Sequence, residues 1–533
     1  MDDLSARIDD LCARWNRPDS PGCAIAVVRD GASLYARAFG LADLERDVPL
    51  TPASVFDIGS TGKQFTAMLI AILARRGALA LDDIVQTHVP ELPVYAEPIT
   101  IRHLLHHTSG LRDYTALMAL AGWHLENFYP EEELLRLICR QQGLNFRPGE
   151  AFLYSNTGYL LLGVIAQRVT GRSLRTLLRE EIFEPLGMAA TDTNDDVSRI
   201  VRGRALSYSP AEEGGYRFEA SPSTGFGDGA LLTTVGDLCR WDANFYDNRL
   251  GGGQELIRQL LAPGEYRDGQ ALTYGHGLFL HSYRGLPVVS HGGGWAGYRA
   301  ELMRFPEQRT SVIVLANLGS IQASRLAKRI ADVCLADAFP EPVPPSAPGD
   351  PGTVTLPDQA WQALAGLHRS ATSGGVLELA VAEDGPVAML FGRKLKLMAL
   401  TPTRFAAVDW PFDLHFEVRG AGPDSTLAVR GEIQGPRPEH YHKIAFSPAS
   451  AAQLAAYVGD YHSDELDATY SVALEGDQLC LRRRFAPPTA LRPTTPDAFA
   501  ARNFALQFTH DAANRVDAFV LCDGRDRNLR FVR

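Results

Sequence analysis

The chain has 533 residues, and its 63 Asp and Glu against 52 Lys and Arg leave a net charge of −11. That length exceeds what one hydrophobic core usually serves, so two or three domains are expected, and the absence of a basic stripe argues against nucleic acid or an anionic membrane as partner. An acidic Met1-Asp2-Asp3-Leu4 start, no bilayer-length apolar stretch and seven scattered cysteines point to free thiols in a reducing cytoplasm, with no metal or cofactor implied.

Leu4, Ile8, Leu11 and Trp15 fall at helical spacing and predict an amphipathic opening helix. Cys23 to Val28 and Ser33 to Phe39 flank an Arg29-Asp30-Gly31 turn and read as a hairpin. Next comes Ile58-Gly59-Ser60-Thr61-Gly62-Lys63-Gln64-Phe65, which leads into Phe65, Met68, Leu69, Ile72 and Leu73 and is closed by Gly77. These stops of three and four residues predict a helix with Ser60 at its start and Lys63 one turn on, on the same face. A further helix is expected around Ile101 to Leu105, and Tyr159 to Val169 is apolar nearly all round. Val288 to Ser290, Arg299 to Arg304 and Thr310 to Ala316 read as successive strands, followed by a helix ending near Ala338. Hairpins at both ends with helices between imply an α+β unit, one antiparallel sheet built from distant segments with a helical region inserted.

A proline-rich run from Phe339 to Gly349 ends this unit. Beyond it, short alternating segments recur in the same order about ninety residues apart, as expected for two small antiparallel β-barrels. The division expected is a first domain at 1–338, a linker at 339–356 and barrels at 357–448 and 449–533.

A serine one turn before a lysine, at the positive end of a helix dipole, suits acyl transfer. Alone, the pair would read as a helix cap and a solvated cation. The chain, however, contains only five lysines, Lys63, Lys328, Lys394, Lys396 and Lys443. Two other stretches can supply the missing parts. Phe152-Leu153-Tyr154-Ser155-Asn156 precedes a helix, where Tyr154 could pass a proton and Asn156 could hold Lys63 or a substrate carbonyl. His291-Gly292-Gly293-Gly294-Trp295 ends a strand whose glycines let a substrate lie along the edge, and the Gly294 N–H could join that of Ser60 around an oxyanion. His103, His106 and His107 lack a matching acid-and-histidine pattern and are expected to cap or line a helix.

Ser60-x-x-Lys63, Tyr154-x-Asn156 and His291-Gly292-Gly293 stand in the order and rough spacing of the penicillin-recognising serine enzymes. That superfamily, peptidase family S12, includes class C β-lactamases, D,D-peptidases and related esterases; the resemblance covers about residues 1 to 335. The full layout resembles the three-domain D-aminopeptidases of that superfamily. The resemblance implies a β-lactamase/transpeptidase-like catalytic domain, acylation and deacylation at Ser60, and Lys63 with Tyr154 moving the proton. It further implies a small peptide, amide or ester substrate from which an N-terminal D-amino acid is released, by a protein acting alone or as a homodimer. An esterase or β-lactamase-like hydrolase is the alternative, and a non-catalytic penicillin-binding-like sensor is the alternative of another class.

His291-Gly292-Gly293 replaces the usual Lys-Thr-Gly, removing a fixed cation and a hydroxyl and so favouring amino-terminal over carboxy-terminal substrates. In such enzymes a loop of the last domain enters the site. The corresponding stretch, Arg482-Arg483-Arg484-Phe485, is the candidate specificity loop; it is basic, and its arginines would repel an ammonium group.

Overall fold

The computed structural model describes residues 2–124, 126–220, 226–340, 356, 358–383, 385–390, 393–407, 414–420, 426–431, 435–444, 449–501 and 504–533. The proline-rich linker expected at 339–356 lies almost entirely outside the described residues. Helix α1 (Asp2–Cys12) precedes the hairpin of β1 (Cys23–Arg29) and β2 (Ala32–Phe39). Two helices carry the centre of the inserted region, α2 (Lys63–Arg75) and α3 (Asn156–Thr170). The chain then returns through β3 (Phe279–Tyr283), β4 (Leu286–Trp295), β5 (Tyr298–Phe305) and β6 (Thr310–Ala316), and α4 (Ala323–Cys334) follows. The six strands form one antiparallel sheet in the order β3-β4-β5-β6-β1-β2, with Ile25 opposite Val314 where the two ends of the unit meet.

Burial explains why β1 and β6 read as unbroken apolar runs. Both are covered on both faces, so alternation is not required of them. One face packs against α1 and α4 through Ile8, Trp15, Leu326 and Ile330. The other packs against the helical region, where α2 is buried from Lys63 to Leu73 and α3 from Thr157 to Ala166. Helices apolar on all sides are what a central position demands. Gly171, left-handed at φ 68°, stops α3.

The sheet meets the start of α2 at one tight crossing. The turn carrying Ser60 is a short 3-10 segment, Gly59–Gly62, lying directly against β4. A Cβ on Gly293 would stand 1.9 Å from the Ile58 carbonyl oxygen, and one on Gly59, whose φ is +48°, would stand 2.9 Å from the Gly294 nitrogen. Thr61 Oγ1 donates to the His291 carbonyl at 3.1 Å across the same crossing. The sequence reading ends this strand with the stretch His291 to Trp295, its glycines on the strand edge. The structure likewise carries it to Trp295, pairing Gly293 with Ala300 and Gly294 with Arg299, because a ladder is built from backbone groups and needs no side chains.

Eight strands from Gly366–Ser370 to Gly435–Lys443 close into one antiparallel barrel, and eight from Gly459–Ser463 to Leu529–Val532 into a second. The core of the second barrel is continuous with that of the helical region. Arg112, its side chain 1% exposed, is the main polar tie between them. It donates to Glu465 Oε1 at 2.6 Å and Gln141 Oε1 at 2.8 Å, and to the Arg527 and Asn528 carbonyls at 3.0 Å each. Tyr470 adds a bond to the Leu120 carbonyl at 2.7 Å. The first barrel touches the catalytic region through Arg437, which pairs with Asp268 and covers the Tyr266 ring. Among the described residues, no helix is long and apolar enough to cross a membrane.

Two outcomes follow from this packing. Gly293→Ala is expected to cost about 2 kcal/mol of stability in urea unfolding, since the added methyl meets backbone that cannot step aside; an unchanged midpoint would show that strand and turn are not locked. Glu465→Ala leaves the Arg112 charge buried with only neutral acceptors and is expected to cost about 3 kcal/mol. Calorimetry on the full chain checks this, and a change below about 0.5 kcal/mol would remove the pair from the interface account.

Candidate active site

Three segments distant in sequence converge on the Lys63 side chain. Its Nζ lies 3.0 Å from Ser60 Oγ, 2.9 Å from Asn156 Oδ1 and 2.7 Å from the Asp228 carbonyl oxygen. The 3-10 turn Gly59–Gly62 running into α2 sets the first distance, the opening residue of α3 the second, and the Gly227-Asp228-Gly229 loop the third. Lys63 is fully buried, whereas Ser60 is part-exposed. Burial pulls the ammonium down to about 8, against the opposing fields of Asp228 and Asp113, while Arg525 reinforces the lowering.

The geometry suits a change of protonation state. A charged ammonium has three N–H donors for these three oxygens. A neutral amine keeps two of them, for Asn156 and Asp228, and turns its lone pair to the Ser60 hydroxyl.

Tyr154 lies beside this group, its ring centroid 5.0 Å from Lys63 Nζ. Its buried hydroxyl completes no hydrogen bond, and the neighbouring polar group is the Ser60 side chain. Burial raises the phenol well above its ordinary value, against the opposing pull of Ser60, so the ring stays protonated and able to donate. A buried hydroxyl left without a partner in this way is free to bond to a molecule that enters beside Ser60. Phe279 stacks on the Tyr154 ring at 6.3 Å and 10°, and His107 packs on it at 4.2 Å.

The sequence reading aims His291 at the substrate. The structure buries the imidazole completely, 6.0 Å behind the Tyr154 ring. Nδ1 lies 2.7 Å from the Gly292 carbonyl, which only accepts, so Nδ1 carries the proton and Nε2 takes one from the Tyr274 hydroxyl at 3.1 Å. Burial, then the charge of Lys63, lowers the ring to about 3. His291 is therefore a neutral strut. Gly293 and Gly294 border the Ser60 turn by backbone, as the close approaches above require. His103 caps its own helix through Thr100, in keeping with the reading of the histidine cluster, and the described residues hold no group of three or more metal-ligating side chains.

Arg482 to Phe485 do not lie among the groups around Ser60. Arg482 pairs with Glu475, Arg483 lies over the Tyr470 and Phe504 rings, the Arg484 backbone lies against Gly122, and Phe485 meets His124 at 5.1 Å. A different loop of the last barrel, Asp523 to Asn528, reaches the site. Arg525 donates to the Tyr154 carbonyl at 3.1 Å and stands 3.3 Å from Asp113 Oδ2. That carboxylate accepts the Asn156 N–H at 2.6 Å, while Asp113 N donates to Asp526 Oδ1 at 2.8 Å. Asp113 thus caps the helix Tyr114–Leu120 and the start of α3 together. Asp113, Asp228 and Arg525 escaped the sequence reading. The only local signals were an acid before a helix and an acid between two glycines, both common as plain caps and turns.

With this geometry in view, comparison with known proteins is informative. The D-aminopeptidase of Gluconobacter oxydans is 33% identical over 315 residues, 59% of this chain and 58% of its own length, so the match spans less than two thirds of that relative. The D-aminopeptidase of Brucella anthropi is 28% identical over 457 residues, 86% of this chain and 81% of its own. The octameric penicillin-binding protein homologue of Pyrococcus abyssi shares the fold at a TM-score of 0.57 and 24% identity, over 83% of this chain and 99% of its own. The sequence pattern named Beta-lactamase matches residues 9–335, more than half of the chain and all of the Ser60, Tyr154 and His291 stretches. The chain therefore belongs to the beta-lactamase family.

Proposed function

We propose that this protein is a serine hydrolase that works through an acyl-enzyme on Ser60 and releases an N-terminal D-amino acid from small peptides, amides or esters. The observation that carries the reading is the three-acceptor seat of Lys63, with its amine 3.0 Å from the Ser60 hydroxyl. The relatives named D-aminopeptidase support the substrate class. In this reading residues 1–338 are the catalytic unit, joined by the linker at 339–356 to barrels at 357–448 and 449–533.

The chemistry follows from the geometry. Neutral Lys63 takes the Ser60 proton as Oγ bonds to the acyl carbon, and the carbonyl oxygen becomes an oxyanion beside the Ser60 and Gly294 backbone. The C–N or C–O bond then breaks, and the leaving amine or alcohol takes a proton that Lys63 passes through the Tyr154 hydroxyl. Water repeats the sequence on the ester of Ser60. Between the two candidate bases, the raised Tyr154 phenol favours lysine, because a phenolate here would be buried beside Asp228. Asn156 holds Lys63, and the neutral His291 ring supports Tyr154 without adding a competing cation.

A panel of D- and L-aminoacyl p-nitroanilides and short-chain p-nitrophenyl esters, run on wild type and Ser60→Ala, tests the reading. Hydrolysis of the D-aminoacyl compounds by wild type, with a loss of about 10⁴-fold or more in Ser60→Ala, is expected. Turnover of simple esters alone would make the protein an esterase, and failure of a fluorophosphonate to label Ser60 would make it a sensor.

Labelling by an uncharged fluorophosphonate also reports the base. Lys63 must be neutral to accept the proton, so the labelling rate is expected to climb about tenfold per pH unit below about 8 and to level above it. Tyr154→Phe is expected to slow turnover while keeping that inflection. An inflection that disappears with the phenol would assign the base to Tyr154.

A further inference from the structure

If the substrate carries a free α-amine, its ammonium nitrogen lies two bonds from the acyl carbon and must enter the site together with that carbon. The last-barrel loop expected to meet it is basic and lies elsewhere, against Gly122 and His124. Among the described acids near the Ser60 turn, most are already spent on protein. Asp113 is buried and caps two helices. Asp57 is buried and accepts the Gly59 N–H at 2.9 Å. Glu301 is buried and bonded to Ser324 beyond Gly292.

Asp228 is different. It is part-exposed, its own carbonyl touches Lys63, and its neighbour Gly229 abuts Gly59. Oδ2 accepts from the Tyr114 hydroxyl at 2.8 Å, which aims the carboxylate. We propose that the Asp228 carboxylate, oriented by Tyr114, is the anchor for the free α-ammonium of the substrate. This rests on the aminoacyl reading above.

The placement also accounts for an otherwise counterproductive charge. A carboxylate beside a lysine that must lose its proton holds that proton on, and Asp228 does so more than Asp113. Once an ammonium pairs with it, the carboxylate field at Lys63 is cancelled and the neutral amine is favoured. The substrate feature that is recognised then also arms the base, so selectivity appears in the chemical step as well as in binding. An acyl group without the amine leaves Asp228 unpaired, and its field then keeps more of Lys63 protonated at a given pH.

Matched p-nitrophenyl esters of D-alanine and of propionic acid, which differ by the ammonium alone, test the assignment. Wild type, Asp228→Asn and Asp228→Glu are compared by kcat/KM; the asparagine retains an acceptor for Tyr114, and the glutamate retains the charge. The preference for the D-alanine ester is expected to fall about 30-fold or more in Asp228→Asn and to recover partly in Asp228→Glu, a pattern that general damage would not give. If wild type prefers the D-alanine ester and Asp228→Asn keeps that preference within about threefold, the Asp228 assignment is overturned while the aminoacyl reading stands. If wild type shows no preference for the amine, both fall.

Discussion

Everything in the Ser60 region depends on burying one ammonium group. Lys63 is fully enclosed, and the cost of stripping water from its charge is met only in part by Ser60 Oγ, Asn156 Oδ1 and the Asp228 carbonyl. What is left of that penalty lowers the ammonium to about 8. A side chain that is unremarkable on a surface thereby becomes a usable base near neutral pH. The same enclosure dictates the neighbours. His107 and His291 sit close to Lys63, and burial with the lysine's charge holds both imidazoles neutral, so they pack as aromatic supports rather than as rival cations.

The crossing of β4 over the Ser60 turn explains why glycines cluster at both ends of this unit. Backbone meets backbone at Gly59, Gly293 and Gly294, close enough that a methyl group at Gly293 would overlap the Ile58 carbonyl. A strand edge brought this near a nucleophile can lend its amides to a developing oxyanion, but only where side chains are absent. The glycine-rich stretch is thus a packing requirement before it is a binding feature, and the tie from Thr61 to the His291 carbonyl keeps the two segments in register.

The last barrel is structurally part of the site. Its loop from Asp523 to Asn528 receives Arg112 and Asn145 and offers Arg525 to Tyr154 and Asp113. Through Asp113 and Asn156 this positions the amide that holds Lys63, so a barrel more than three hundred residues away along the chain helps to orient the Lys63 amine. The Arg482 to Phe485 stretch resembled the entering loop by position in the sequence. Its contacts at Gly122 and His124 put it just past the end of the helix Tyr114–Leu120, whereas another hairpin of the same barrel carries the reach. Which of two loops on one barrel end extends furthest depends on strand tilt and docking angle, neither of which leaves a mark in local composition.

Some features were readable from local order alone. Ser60 and Lys63 share a face because three residues make nearly one helical turn. Tyr154 and Asn156 stand at the start of an apolar helix, the hairpin at residue 30 follows from two strand-like runs about a glycine, and the two barrels show in repeated short segments. In each case but the barrels, which show by recurrence about ninety residues apart, the determinant is spacing within a dozen residues. The union of the Ser60 turn with β4, the neutral seat of His291, the capping of two helices by Asp113, and the approach of Asp228 and Arg525 to Lys63 were decided only by tertiary structure. These are properties of distance and dielectric between segments far apart in sequence, and a carboxylate or guanidinium has the same one-dimensional appearance whether it is solvated at a surface or directed at a buried amine.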